Sequence, residues 1–97
     1  MNIVEIPVPN KKIIINEVYN LSKEVENWLN ENIGNGFYEK YGIPKMFGPM
    51  DISDFEKSKA KWCYYIGIGN QFNFVAKFYI KGEKDKAVLF KLTWGGK

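Results

Sequence analysis

Large apolar residues recur at every second position over the last third of the chain, and this is the period of a β-strand. The pattern predicts a three-stranded antiparallel meander over residues 61–68, 72–81 and 87–94. Aromatic and branched side chains fill these positions, as is typical of strands that bury one face. The alternating apolar set is Trp62, Tyr64, Ile66, Ile68, Phe72, Phe74, Ala76, Phe78, Ile80, Val88, Phe90, Leu92 and Trp94.

The lengths of the two connections decide which side chains meet across this predicted sheet. We predict that both are three residues long, 69–71 and 83–85, because a one-residue slip would expose a whole row of apolar side chains. Each large apolar side chain contributes roughly 1.5–3 kcal/mol when it is buried. The predicted register places Tyr64 opposite Ala76 and Phe74 opposite Trp94.

The reverse face of the predicted meander carries lysines and tyrosines. Its candidate binding residues are Tyr65, Lys77, Tyr79, Lys81 and Lys91. In the predicted register Lys77 lies between Cys63 and Lys91, and like charges directly opposite each other destabilise a sheet unless something relieves them. Two interpretations remain open: the ammonium groups extend into water, or they hold an anion or the acidic surface of a partner.

The apolar period changes from two to that of a helix between residues 17 and 33. The apolar residues of this stretch fall on one stripe, which predicts an amphipathic helix packed on one face of the sheet. Asn16 is predicted to be the N-cap, and Gly34 follows the last helical residue as C-cap glycines do.

The first residues of the chain predict a further strand. Residues 3–7 alternate weakly, and Pro7 and Pro9 each remove a backbone donor, so an edge strand or an extended arm is expected. Residues 11–15 could pair with it as a hairpin. The predicted fold class is therefore α+β, with a single domain over residues 1–97.

Residues 37–50 form an irregular segment that is too apolar for a linker. It is either a satellite of the core or a recognition loop. In the second interpretation Tyr41, Met46 and Phe47 are candidate anchors for another protein.

Composition excludes several function classes. The chain has no histidine and no arginine, so the commonest general base and the bidentate reader of guanine are both missing. Residues 1–55 hold five lysines and eight acidic residues, a net of −3, whereas residues 56–97 hold nine lysines and three acidic residues, a net of +6. A molecule with acidic and basic halves is suited to electrostatic recognition.

These observations favour binding over catalysis. The single cysteine, Cys63, has no histidine to activate it, and we expect no enzyme activity, no cofactor and no metal. The leading hypothesis is a small protein of the inhibitor, immunity or accessory type that binds another protein with an acidic surface. The alternative is a lysine and tyrosine sheet surface that binds single-stranded nucleic acid or a nucleotide. We expect a cytoplasmic protein without a membrane segment, and an A/T-rich, viral or mobile-element origin fits the lysine-rich composition.

Overall fold

The computed structural model of the chain describes residues 1–8, 21–37, 53–68 and 74–95. The elements in these ranges are β1 (Asn2–Pro7), α1 (Lys23–Asn32), α2 (Ser53–Lys57), β2 (Trp62–Ile68), β3 (Phe74–Ile80) and α3 (Lys84–Trp94). The three strands form one antiparallel sheet in the order β1-β3-β2. The chain thus combines an antiparallel sheet with helices, as the predicted α+β class requires.

The predicted third strand of the meander is wrong, because residues 87–94 lie in α3. Ala87 and Phe90 are buried and Trp94 packs against the same core, so the inward residues follow a helical period. Of the predicted loop at 83–85, Glu83 is the N-cap of α3, and Lys84 and Asp85 lie in its first turn. Gly82, with φ +96°, turns the chain there after β3, in a conformation that glycine adopts readily.

The predicted pairing of β2 with β3 has the right orientation but the wrong register. Ile68 pairs with Phe74 and Tyr64 with Phe78, so the connection spans residues 69–73 and not 69–71. The shift is two residues, which is one full period of the pleat. Each side chain therefore stays on its predicted face, and the rings of Tyr64 and Phe78 stack with centroids 5.5 Å apart.

The main core lies between one face of the sheet and the pair α1 and α3. Its buried members are Val4, Ile6, Leu21, Val25, Leu29, Ile33, Trp62, Tyr64, Ala76, Phe78, Ile80, Ala87 and Phe90. This confirms most of the predicted buried face in β2 and β3. Ile68 and Phe74 are exceptions: they form a pair at the end of the sheet and both are exposed.

Helix α1 begins later than predicted. Ser22 is its N-cap and accepts a hydrogen bond from the Val25 amide, whereas Asn16 lies outside the described residues. The amide of Leu21 donates to the Tyr64 hydroxyl over 3.1 Å, which ties this backbone to the sheet and sets the entry into the helix. At the other end Gly34, with φ +141°, donates its amide to the Leu29 carbonyl.

The predicted N-terminal strand is confirmed as β1, and it lies at one edge of the sheet beside β3. Val4 and Ile6 belong to the main core, which is consistent with the weak alternation of residues 3–7. The proposed hairpin partner at residues 11–15 lies outside the described residues, and so does the 38–50 part of the irregular segment with Tyr41, Met46 and Phe47. In the part of the chain that is described, every helix falls short of the length and apolar content needed to cross a membrane.

Candidate functional site

The two tyrosines predicted to lie on an open sheet face are covered. Tyr65 is only 2% exposed, and with Tyr79, Cys63 and Phe55 it forms a second, smaller core under α2. The two tyrosine rings stack with centroids 5.7 Å apart, and the Tyr79 hydroxyl donates to the Tyr65 hydroxyl over 3.3 Å. Burial, together with the Tyr65 hydroxyl, raises the pKa of Tyr79 to about 12. Both rings are therefore buried, and neither presents an exposed face on which a base could stack.

Lys81, a predicted ligand contact, is hydrogen-bonded to backbone carbonyls of the protein itself. Its Nζ donates to the carbonyl oxygens of Phe55 over 2.8 Å, Ser58 over 2.9 Å and Glu56 over 3.3 Å. The ammonium also lies 4.5 Å from the centroid of the Phe55 ring. Carbonyl groups at a helix C-terminus carry partial negative charge, so the lysine acts as a C-terminal cap that fastens α2 to the sheet.

The structure separates Lys77 and Lys91, which the predicted register placed side by side. Lys77 projects from β3 over the ring of Tyr65 and lies 3.7 Å from the Glu5 carboxylate. Lys91 belongs to α3, on the opposite layer, and its Nζ donates to the Glu5 carbonyl over 2.6 Å. Both lysines thus contact one residue of β1, and the predicted like-charge pair across two strands is absent.

Cys63 is the single cysteine of the chain, and its environment suppresses the reactivity of its thiol. The thiol is buried in the smaller core, and burial raises its pKa to about 12, with Lys81 acting weakly in the other direction. Because the thiolate is the reactive form, a thiol held neutral in this way is a poor nucleophile. Among the described residues no group of three acidic or cysteine side chains could hold a metal ion.

Helix α3 carries large apolar residues on its solvent side as well as its core side. Val88, Leu89 and Leu92 are 44%, 49% and 75% exposed. At 3.6 residues per turn these three fall within about 100° of one another, opposite the inward stripe that holds Phe90. We call Val88, Leu89 and Leu92 the outer stripe of α3. The sequence contains the signal for it, because a helix over residues 84–94 must be apolar on both sides.

A groove of about 300 Å³ runs between β1 and α3, beside the outer stripe. It is lined by Asn2, Ile3, Val4, Glu5, Lys84, Ala87, Val88 and Lys91. Val88 belongs to both features, so the outer stripe and the groove form one continuous surface. The side of the groove formed by α3 is apolar at its centre, with Lys84 at one end and Lys91 at the other.

A second groove of about 240 Å³ lies at the opposite end of the sheet from the exposed pair Ile68 and Phe74. Its lining includes three lysines, Lys61, Lys81 and Lys86. Glu83 also lines this groove, and the Lys81 ammonium is already hydrogen-bonded to α2. The net charge that remains available to a ligand is therefore smaller than the lysine count indicates.

Comparison with protein-family models, with curated proteins and with solved structures finds no match for this chain.

Proposed function

We propose that this chain is a non-enzymatic protein-binding domain and that the outer stripe of α3 is its contact surface. The observation that carries the proposal is the placement of Val88, Leu89 and Leu92 on the solvent side of a helix whose other side is already in the core. An amphipathic helix on a domain surface normally has a polar outer face, and contiguous exposed apolar residues on such a face mark interaction sites.

The charges around the stripe favour a partner with an acidic rim. Lys84, Lys86 and Lys91 lie on the same helix, and all three are exposed, with Asp85 the one acidic residue within it. Complementary charge at the rim of an apolar patch speeds association and selects the partner. The buried state of the Cys63 thiol supports a binding role, because it removes the most reactive side chain of the described part of the chain from chemistry.

The proposal is tested with a variant that places charge on the stripe. Leu92→Asp should leave the fold intact, because the side chain is 75% exposed, and should abolish capture of a specific protein from cells of the native host. Ile68→Asp is the matched control, since it introduces the same charge at another exposed apolar position.

A protein retained by the wild type and by Ile68→Asp, but not by Leu92→Asp, is then purified and titrated by calorimetry. A central apolar anchor is worth about 2 kcal/mol or more, so Leu92→Asp should raise Kd at least roughly thirtyfold. Equal binding by the two variants would remove the outer stripe as the contact surface.

A second candidate function, binding of single-stranded nucleic acid, is supported by the exposed lysines Lys61 and Lys86, which line the second groove. Lysine contacts to phosphate release counterions, so such binding would weaken steeply with salt. Fluorescence titration with a labelled single-stranded oligonucleotide at low and high salt tests it. Binding at low salt that collapses at high salt would support this function, and its loss in Lys61→Glu/Lys86→Glu would locate it.

A further inference from the structure

Among the described strands β1 pairs with β3 alone, and the register identifies the backbone groups that face its other edge. The Val8 amide donates to the Phe74 carbonyl over 3.1 Å, which makes this pair a hydrogen-bonded one. Hydrogen-bonded pairs alternate along an antiparallel ladder, so the backbones of Ile6, Val4 and Asn2 also face β3. The backbone groups of Ile3, Glu5 and Pro7 must therefore point away from the sheet.

In the C-terminal half of this edge, two backbone groups cannot form a hydrogen bond with an added strand. Pro7 has no amide hydrogen to offer, and the Glu5 carbonyl already accepts a hydrogen bond from Lys91. Prolines and lysines at strand edges are devices that prevent uncontrolled pairing with other strands. The groups left open are the amide and carbonyl of Ile3 and the amide of Glu5, with no hydrogen bond from any described residue.

Helix α3 runs alongside this open edge in the same direction as β1. The Asn2 side chain donates to the Gly82 carbonyl, just before the helix begins, and Lys91 reaches Glu5 seven residues after Lys84. Seven helical residues rise about 10.5 Å, and the three-residue step from Asn2 to Glu5 spans about 10 Å in a strand. The side of the groove formed by α3 therefore extends over the whole open part of the edge.

We propose that an extended segment of the protein partner adds as a strand to the open half of the β1 edge. This rests on the proposed function and specifies how the partner engages. Alternate side chains of the added strand would face α3, where Ala87 and Val88 form an apolar centre between Lys84 and Lys91. The segment that fits reads acidic–x–apolar–x–acidic, because residues i and i+4 of a strand lie about 13 Å apart, within reach of two flexible lysines.

A second copy of this chain is a poorer occupant of the same edge. Pairing β1 with its own copy would bring Lys84 and Lys91 of both copies to one seam, and like charges in contact oppose association. An acidic segment of a partner would instead place carboxylates beside Lys84 and Lys91, and opposite charges in contact favour association. Its carboxylate would also compete for the Lys91 ammonium, and release of Lys91 would open the Glu5 carbonyl to the added strand.

The test uses a nine-residue synthetic peptide with glutamate, valine and glutamate at alternate central positions and threonine elsewhere. Its control is the same peptide with lysine in place of both glutamates. Binding is followed by NMR titration of the full chain. We expect the Ile3 and Glu5 amide signals to shift, their hydrogen exchange to slow, and the lysine peptide to bind at least about tenfold more weakly.

Ile3→Pro removes the outward amide without removing a β1–β3 hydrogen bond, at a position equivalent to that of Pro7. We expect it to weaken glutamate-peptide binding about tenfold or more, whereas Ile3→Ala, which keeps the amide, should bind within about threefold of the wild type. Should Ile3→Pro fail to fold, the exchange rates of the wild-type amides decide. Equal binding of both peptides, or unchanged exchange at Ile3 and Glu5, would overturn strand addition.

The two proposals fail separately. If a cellular partner is lost by Leu92→Asp but retained by Ile3→Pro, the outer stripe stands and strand addition falls. If the glutamate peptide protects the Ile3 amide while Leu92→Asp has no effect on capture, strand addition stands and the outer stripe is not the contact surface.

Discussion

Replacement of Lys81 by methionine tests whether this residue fastens α2 or is available to a ligand. Methionine keeps most of the side-chain length and apolar stem but removes the ammonium group. The variant loses two short hydrogen bonds to the Phe55 and Ser58 carbonyls, a longer one to Glu56, and the contact with the Phe55 ring. The structural role predicts a loss of stability, whereas a role confined to ligand binding predicts none.

The expected loss follows from the individual contacts. Each of the two short hydrogen bonds is partly exposed and is therefore taken at about 1 kcal/mol, below the range of roughly 1.5–3 kcal/mol for hydrogen bonds to charged groups. The contact between the ammonium and the Phe55 ring adds about 0.5–1 kcal/mol. The free energy of unfolding should therefore fall by about 2.5–3 kcal/mol, which lowers Tm by about 10–25 °C in a domain of this size.

Urea and thermal denaturation followed by tryptophan fluorescence and circular dichroism measure this loss. Lys86→Met is the matched control, because it makes the same substitution at an exposed lysine for which no side-chain contact is described. It should stay within about 0.5 kcal/mol of the wild type. A Lys81→Met variant as stable as this control would refute the capping role and return Lys81 to the candidate ligand contacts.

Three further predictions concern the two cores. Phe90→Ala should lower the free energy of unfolding, measured by urea titration, by about 3–5 kcal/mol, because the ring is fully buried. Leu92→Ala should change it by about 0.5 kcal/mol or less, because that side chain is exposed. Equal losses in the two variants would contradict the orientation of α3. Burial raises the pKa of Tyr64 and of Tyr79 to about 12. Because the unfolded chain loses these two protons at lower pH than the folded chain, the free energy of unfolding should fall as pH rises from about 10 towards 12. Urea midpoints that stay constant over that range would contradict the burial of the two hydroxyls. The Cys63 thiol, buried and with its pKa raised to about 12, should react with iodoacetamide at pH 8 only as fast as the chain opens, and rapid alkylation of the native protein would contradict its placement.

The parts of the fold predicted from sequence are those in which one hydrophobic period stands alone. The alternation in β2 and β3 identified both strands and their inward faces, and the helical stripe that includes Val25 and Leu29 identified α1. In α3, by contrast, Phe90 and Trp94 satisfy both periods. In the structure Glu83 is the N-cap and residues 84–86 lie in the first turn of α3, so the helical period is the one that applies.

The errors at the candidate site have a different origin. Alternation shows that one face of a strand is buried, but it does not show whether another element covers the second face. The unbroken apolar run over residues 62–66 is typical of a strand buried on both sides, and it was the available sign that Tyr65 would be covered. The capping role of Lys81 depends on the position of α2 relative to β3, which no local pattern specifies.

The central position of β3 has a consequence for how the chain folds. Asn2 and Ile80 are 78 residues apart in the chain and adjacent in the sheet, and both outer strands depend on this late segment for their backbone partners. Closing so long a loop is entropically costly before its contacts form, so folding should be slow for a chain of this length. A nascent chain that ends before residue 74 has no template on which to align β1, and sheet assembly during synthesis must wait for β3 to emerge.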